Sequence, residues 1–494
     1  MSKNMDEIIK LCSIHVNLSE SCKQSLKRVL QSATESQFKL VFSRLENTLQ
    51  KFMSKLVVKP ISEAQKFTFI RLYINYLVDP IRKLSWKAIE APNKDSLLFL
   101  ESLPNEIKQI GQDNLNKVAI LKVNGGLGTS MGCNGPKAMI TVAGSKNFLD
   151  ITFSQIQAVN STFNCKIPLI LMNSFNTSGE TSEWVACQNS TDIYTYEQEV
   201  FPRIDKNSGL PFETSEEESE WNPPGHGSVY QALYDSGLLD KLIESGKEII
   251  FISNVDNLGA VVDRSLLGVM ISDKKDFLIE TAPKTKMDVK GGTIVTNNGR
   301  LTLLERAQVP DAHINEFEDI NKFTIFNTNS LWINLKALKK SLEKSPMELP
   351  LIVNPKTVDN KSIIQLETAM GAAIENFKNV GVIVVGRDRF LPVKKTNDLL
   401  LLQSSLFSLD SLNIPRLDPS RTAVPMVSLD DHYKTVHDFN TRFKAIPNML
   451  DCNSLSIEGD VRFEENVTLV GDVKIINTDS SPLIIKNETL KGTS

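Results

Sequence analysis

Residues 122–137 read Lys-Val-Asn-Gly-Gly-Leu-Gly-Thr-Ser-Met-Gly-Cys-Asn-Gly-Pro-Lys and close an apolar run at 118–123. The run predicts a buried strand. Gly125, Gly126, Gly128, Gly132 and Gly135 carry no Cβ, so bare backbone N–H groups can approach a phosphate. Lys137 adds a mobile point charge. A turn that merely needs glycine would use one or two. The pattern predicts a strand whose carboxyl end holds a nucleotide phosphate. Two common phosphate loops are excluded. Met131 stands where a dinucleotide fingerprint needs its third glycine, and Pro136 separates Gly135 from the lysine that a Walker A loop places next to it.

Further apolar runs at 167–172, 249–253 and 382–385 also read as buried strands, with helical stretches at 149–159 and 228–243 among them. This alternation predicts an α/β fold with a central, mostly parallel, Rossmann-like sheet, whose ligands bind beyond the carboxyl ends of strands. Residues 1–110 read as a helical N-terminal region. Val41, Leu45, Leu49 and Phe52 recur at helical spacing, an apolar face continues across 67–78, and Pro80 and the step at 91–93 punctuate it. The α/β domain is expected over 111–410 and ends in a helix at 397–409. Residues 411–494 are expected to hold a linker (Pro415, Pro419, Pro425) and a left-handed parallel β-helix. There Gly459-Asp460-Val461 recurs as Gly471-Asp472-Val473. Leu455, Ile457, Val461, Phe463, Val467, Leu469, Val473 and Ile475 fall into alternating pairs around that repeat. Such a stack leaves an edge that can pair with another chain, giving a homo-oligomer, or simply cap its own subunit.

With 494 residues the chain is expected to form two or three domains. A formal net charge of −4, from 55 basic and 59 acidic residues, demands no nucleic-acid partner. No apolar run has the length of about 18 residues that a membrane span needs. The first ten residues lack the pattern of a secretory signal. The six cysteines are scattered without a CxxC pair, which argues against a disulfide framework or a zinc site and for a cytoplasmic setting.

Other residues suit the same ligand. Asp256 follows the run at 249–253, where a carboxylate can hold a hard cation such as Mg²⁺ through oxygen or cap the next helix. In Pro223-Pro224-Gly225-His226-Gly227, Gly225 allows close approach to a planar base. His226 can point a ring nitrogen at a phosphate or hydroxyl, or simply sit exposed in a turn. Asn329 and Glu305 are polar groups among apolar neighbours and suit sugar hydroxyls, though a glutamate there also reads as solvated. Lys394 follows Leu391-Pro392-Val393, and a lone lysine is usually a surface residue.

Together these stretches resemble the eukaryotic-type UTP–glucose-1-phosphate uridylyltransferase (UDP-glucose pyrophosphorylase) family. The likeness rests on the glycine loop, on Leu171-Met172-Asn173-Ser174-Phe175-Asn176-Thr177 and on Phe201-Pro202-Arg203. It extends to the Pro-Pro-Gly-His-Gly loop, Ser253-Asn254-Val255-Asp256-Asn257-Leu258-Gly259 and Asp288-Val289-Lys290-Gly291-Gly292-Thr293. It takes in Ala307-Gln308-Val309-Pro310, Phe326-Asn327-Thr328-Asn329, Gln365-Leu366-Glu367-Thr368-Ala369 and Arg389-Phe390-Leu391-Pro392-Val393-Lys394. It runs from about residue 67 to the C-terminal repeat.

The resemblance implies a nucleotidyltransferase that joins UTP and α-D-glucose 1-phosphate into UDP-glucose and pyrophosphate, with Mg²⁺ as cofactor. It implies Lys394 and Lys137 as catalytic cations. UTP would meet Val123, Asn124, Gly125, Gly126, Lys137, Gln198, Gly225, Asp256 and Lys394, with Gln198 reading the uracil edge. The sugar phosphate would meet Gly125, Gly126, His226, Asn254, Val255, Asp256 and Asn329. Asp256 would hold the metal, with Lys137 adjacent through the phosphate.

The chain departs mildly from the family pattern. Val123 replaces a usual leucine, Ala138 a common serine, and Ala282-Pro283 a different pair before Lys284-Thr285. A sister family acting on UDP-N-acetylhexosamine typically has Arg-Leu where this chain has Ser130-Met131. A broad UDP-sugar enzyme is a third reading. A nucleotide-binding scaffold protein, the fourth, would usually have lost a lysine or the metal aspartate.

Overall fold

Val118–Asn124 forms a strand buried along almost its whole length, as a run covered on both faces of a sheet must be. In this computed structural model, which describes residues 2–31, 33–59, 61–78 and 85–492, it belongs to an eight-stranded sheet. In chain order the strands are β1 (Leu97–Phe99), β2 (Val118–Asn124), β3 (Leu169–Asn173), β4 (Ile193–Glu197), β5 (Ile249–Asn254), β6 (Phe277–Pro283), β7 (Ile325–Asn334) and β8 (Val380–Val384). Across the sheet they run β1-β8-β6-β7-β5-β2-β3-β4. β8 is parallel to β1 and to β6, whereas β7 is antiparallel to both β6 and β5. β1, β8, β6 and β5 therefore share one direction and β7 opposes them. The Pro80 break lies outside the described residues.

Two expected helices are shorter than the sequence suggests. The stretch at 228–243 is two helices, Val229–Asp235 and Leu238–Glu244, because Gly237 adopts φ +73° between them. The stretch at 397–409 is a helix only over Thr396–Gln403. Phe407–Leu409 is a strand paired antiparallel with Pro415–Leu417, so Pro415 starts a strand rather than lying in a linker.

The chain divides into two compact units. The first comprises Met1–Leu121, Thr195–Ile252 and Arg264–Val385, the second Lys122–Tyr194, Ser253–Asp263 and Gly386–Ser494. In the first unit the helix Glu35–Leu56 buries Val41, Leu45, Leu49 and Phe52, the face its spacing predicts. Phe52 packs on Phe69 and Tyr73 at 5.0 and 4.9 Å between ring centroids. Phe251 stacks on the fully buried Trp332 at 4.5 Å, and the Trp332 indole donates to the buried Glu280 carboxylate at 2.8 Å.

In the second unit Met426–Leu429, Asn448–Glu458, Val467–Ile476 and Glu488–Lys491 lie side by side as parallel strands. Val461–Phe463 pairs in parallel with Leu483–Ile485. The alternating residues of the sequence pattern, Leu455 to Ile475, are buried. Their register differs from the visible repeat. Val461 pairs with Leu483 and Val473 with Leu455, so the two Gly-Asp-Val copies do not stack on each other.

Candidate active site

In the second unit the glycine loop leaves β2 and folds back on itself. The Gly128 N–H donates to the Gly135 carbonyl at 3.4 Å, Leu127 bridges Pro136, and the Lys137 N–H donates to the Gly126 carbonyl at 3.1 Å. Lys137 is thereby returned to the strand end it left. No atom lies within 4 Å of where a Gly126 Cβ would project, so the backbone there is open to a ligand. The Gly125 carbonyl accepts from the Ser174 hydroxyl at 2.8 Å. Asn124 is buried, and its amide donates to the Asn173 side chain at 2.8 Å and to Thr181 at 2.9 Å. Its side-chain donors thus bind β2 to β3 and to the helix Ser178–Cys187.

The turn after β5 meets this loop. The Val255 N–H donates to the Val123 carbonyl at 3.2 Å. The Asp256 carboxylate forms an ion pair with the Lys137 ammonium, both side chains being largely buried. Asp256 does not cap the next helix, which begins only at Arg264. Asn254 ends β5, and its carbonyl accepts from the Asn257 N–H at 3.3 Å.

Asn257 ties this turn to the segment that carries Lys394. Its side chain accepts from the Leu391 N–H at 2.9 Å and donates to the Arg389 carbonyl at 3.1 Å. Lys394 is exposed. Its ammonium lies 6.0 Å from the Phe390 ring centroid, and among the described residues it pairs with no carboxylate. Its backbone N–H donates to Asp398 at 2.7 Å, which anchors the chain there. Sequence reasoning missed Asn257, although it sits inside a quoted motif, because its role appears only across the fold.

In the first unit the Pro-Pro-Gly-His-Gly loop is clamped along residues 368–370. The Gly227 N–H donates to the Thr368 carbonyl at 2.9 Å, and the Thr368 N–H donates to the Pro224 carbonyl at 3.0 Å. Gly225 has φ +78°, a conformation that L side chains rarely adopt.

His226 is not an exposed turn residue, because its Nδ1 accepts from the Met370 N–H at 3.0 Å. A backbone N–H can only donate, so the ring is neutral at that nitrogen and carries its proton on Nε2. Burial pushes its pKa down to about 4. Between about pH 6.5 and 4 the unfolded chain binds a proton that the folded chain refuses, so stability is present above pH 6.5 and falls as pH drops through this window. Urea denaturation at pH 7 and pH 5 is expected to show this as a loss of up to about 1.4 kcal/mol per pH unit. His226→Asn should lack that component. An equal pH dependence in the variant contradicts the assignment.

Gln198 follows β4 and is buried, and its Oε1 accepts from the Ser228 hydroxyl at 3.1 Å. Beside it, burial pushes the Glu199 carboxyl up to about 8, with Asp235 adding to the rise, which favours its neutral form. Asn329 lies in β7 at φ +57°, where the pairing with β6 shifts register. Its side-chain oxygen accepts from the Asn327 amide at 2.8 Å. Glu305 instead precedes the turn Arg306–Gln308, its carbonyl accepting from the Gln308 N–H at 2.9 Å while the Gln308 side-chain oxygen accepts from the Glu305 N–H at 2.8 Å.

Three comparisons bear on this arrangement. The family model described as UTP–glucose-1-phosphate uridylyltransferase matches residues 67–470. The chain belongs to this family. UTP–glucose-1-phosphate uridylyltransferase 2 of Dictyostelium discoideum is 44% identical over 422 residues, covering 84% of each chain. UTP–glucose-1-phosphate uridylyltransferase of Solanum tuberosum is 44% identical over 450 residues, covering 87% of this chain and 94% of its own. A mutant UDP-glucose pyrophosphorylase from Leishmania major, solved in complex with UDP-glucose, superposes with a TM-score of 0.80 at 34% identity. It covers 90% of this chain and 98% of its own. The family match spans every residue placed above, from Val123 to Lys394, whereas the first three N-terminal helices precede it.

Proposed function

We propose that this chain transfers the uridylyl group of UTP to α-D-glucose 1-phosphate, giving UDP-glucose and pyrophosphate in a reversible reaction. The observation that carries the reading is the Lys137–Asp256 pair, set beside the open Gly126 backbone at the end of β2. A phosphate oxygen of the sugar phosphate forms a bond to the α-phosphorus of UTP, and the bond to the pyrophosphate oxygen breaks. Two anions must meet, so the main barrier is charge repulsion.

Lys137 and Lys394 offset that charge in our reading. Gly125 and Gly126 bind the phosphates with them in this reading. Gln198 and Gly225 would meet uracil, His226 an acceptor oxygen of the sugar phosphate, and Asn329 glucose. No general base is required, because the attacking phosphate oxygen is ionised near pH 7. His226 fits this scheme as an uncharged donor through Nε2.

Among the described residues no cluster of three or more metal-ligating side chains occurs. A single carboxylate such as that of Asp256 is the kind of protein ligand Mg²⁺ takes, since the ion usually binds one or two carboxylates and completes its shell with substrate phosphates and water. Asp256 would hold it, and the ion would supply further charge neutralisation on the phosphates. Pyrophosphorolysis of UDP-glucose and of UDP-N-acetylglucosamine separates this reading from the sister one. UDP-glucose is expected to react faster, and a preference for the acetylated sugar would overturn it.

We read the parallel C-terminal strands as a left-handed β-helix whose exposed edge joins copies of the chain. Ile476, Leu483 and Ile484 are 50%, 41% and 51% exposed there, an apolar rim on paired strands. Light scattering on the full chain should report a multimer, and Ile484→Asp should lower its mass. A monomeric wild type, or an unchanged mass in the variant, contradicts the contact. No helix among the described residues is long and apolar enough to cross a membrane, and all six cysteines are free thiols, which suits a cytoplasmic setting.

A further inference from the structure

We propose that a cleft in the first unit, walled by two of its N-terminal helices, is a second ligand site that takes a small polyol monophosphate. The cleft has a volume of about 310 Å³, within the range of small-molecule sites. Four segments of the first unit line it. The helix Glu20–Leu30 brings Arg28, and the helix Glu63–Val78 brings Arg71 and Asn75. Ser345 and Glu348 follow the helix Leu335–Lys344, and Glu375 comes from the turn Met370–Asn376. None of these six residues has a part in the uridylyl transfer described above.

Arg71 and Asn75 interrupt an otherwise apolar stretch, and their spacing of four puts them on one side of the helix. Both are buried, at 5% and 9% exposure. Arg71 donates to the Leu349 carbonyl at 3.1 Å, a bond that takes one of its five N–H groups. The Asn75 amide makes no hydrogen bond among the described residues, although it lines the cleft. A buried amide without a protein partner is costly, and the cleft is the side from which one can reach it. Beside it, Arg28 holds the Glu348 carboxylate with two hydrogen bonds, that of Nε at 3.4 Å. Burial acts to raise the Glu348 carboxyl. The Arg28 hydrogen bonds and the charges of Arg28 and Arg71 outweigh it and hold the group below the usual carboxylate range. An ionised Glu348 between two guanidinium groups leaves one net positive charge, which favours an anion. Two guanidinium forks match the three oxygens of a phosphate monoester better than the two of a carboxylate. The remaining groups suit hydroxyls. Asn75 and Ser345 both donate and accept, and the Glu375 carboxylate has about four lone-pair sites. A phosphate on the cations with hydroxyls against these groups describes a polyol monophosphate.

Titration calorimetry of the full chain with glucose 6-phosphate tests this, with inorganic phosphate, glucose and gluconate as the comparison probes. Glucose 6-phosphate is expected to bind about tenfold or more tighter than each of the others, since each lacks either the phosphate or the hydroxyls. Arg28→Gln and Asn75→Leu should each weaken it about tenfold or more. Arg28 is exposed on its helix, so its variant reports on binding however Asn75→Leu folds. Asn75→Leu removes an amide that the protein itself does not use, so its thermal unfolding should match the wild type. A marked fall in its Tm would make Asn75 a structural residue and overturn its assignment. Lys137→Ala, at the candidate active site, should leave glucose 6-phosphate binding unchanged. No binding, equal affinity for phosphate, glucose or gluconate, or wild-type affinity in Arg28→Gln overturns the proposal. So does a loss that follows Lys137→Ala instead, which would put the ligand in the candidate active site. Each of these results leaves the uridylyl reading standing, because that reading is tested by pyrophosphate release from UTP.

Discussion

Lys137→Ala is expected to lower turnover about a hundred- to a thousandfold, the usual cost of removing one preorganised group from a site that stabilises developing charge. The structure holds this lysine at both ends. Its backbone is pinned to Gly126 at 3.1 Å, and its ammonium is held against Asp256. In our reading the ammonium is therefore parked beside the place where the α-phosphate would sit. The same substitution leaves Asp256 without its partner, so a modest loss of stability accompanies the loss of rate. Steady-state kinetics at saturating UTP and glucose 1-phosphate, with thermal unfolding in parallel, separates the two effects. Near-wild-type turnover in a folded variant contradicts the role given to Lys137.

Gly225→Ala is expected to destabilise the chain by about 2–5 kcal/mol, combining the left-handed backbone penalty with overpacking, and to raise the KM for UTP at least tenfold. The added Cβ would come within 2.6 Å of the Thr368 carbonyl oxygen and 3.0 Å of the Thr368 nitrogen. Both atoms are backbone and already hold the loop through Pro224 and Gly227, so neither can move without breaking the clamp. The Met370 N–H that orients His226 lies two residues further along the same clamping segment. Urea denaturation and initial rates over a range of UTP concentrations measure the two consequences. A variant with wild-type stability would mean that this loop is looser than the structure shows.

Much of this was legible in the sequence because the informative residues punctuate strands. The run at 118–123 and the glycines after it locate the end of β2, and the run at 249–253 locates Asp256. Burial on both faces makes such strands continuous apolar runs, which a reader can see. The antiparallel β7 was not legible, since direction within a sheet leaves little trace in local composition. The break at Gly237 was missed because the apolar spacing continues on both sides of it. The Gly-Asp-Val repeat does not reveal the register, since Val461 pairs with Leu483 and Val473 with Leu455. Asn257, Ser228 and Met370 stayed hidden for a common reason. Each acts by a hydrogen bond to a residue that only the fold brings near, and Met370 acts through its backbone, which carries no sequence signal at all.

The central claim is the joining of UTP to glucose 1-phosphate. The most direct measurement is pyrophosphate release from UTP with a panel of sugar 1-phosphates, run with Mg²⁺ and with a chelator. The account predicts rapid release with glucose 1-phosphate, slower release with N-acetylglucosamine 1-phosphate, and loss of release in the chelator. Tight UTP binding with no pyrophosphate released from any sugar phosphate would contradict it and leave a nucleotide-binding protein without this chemistry.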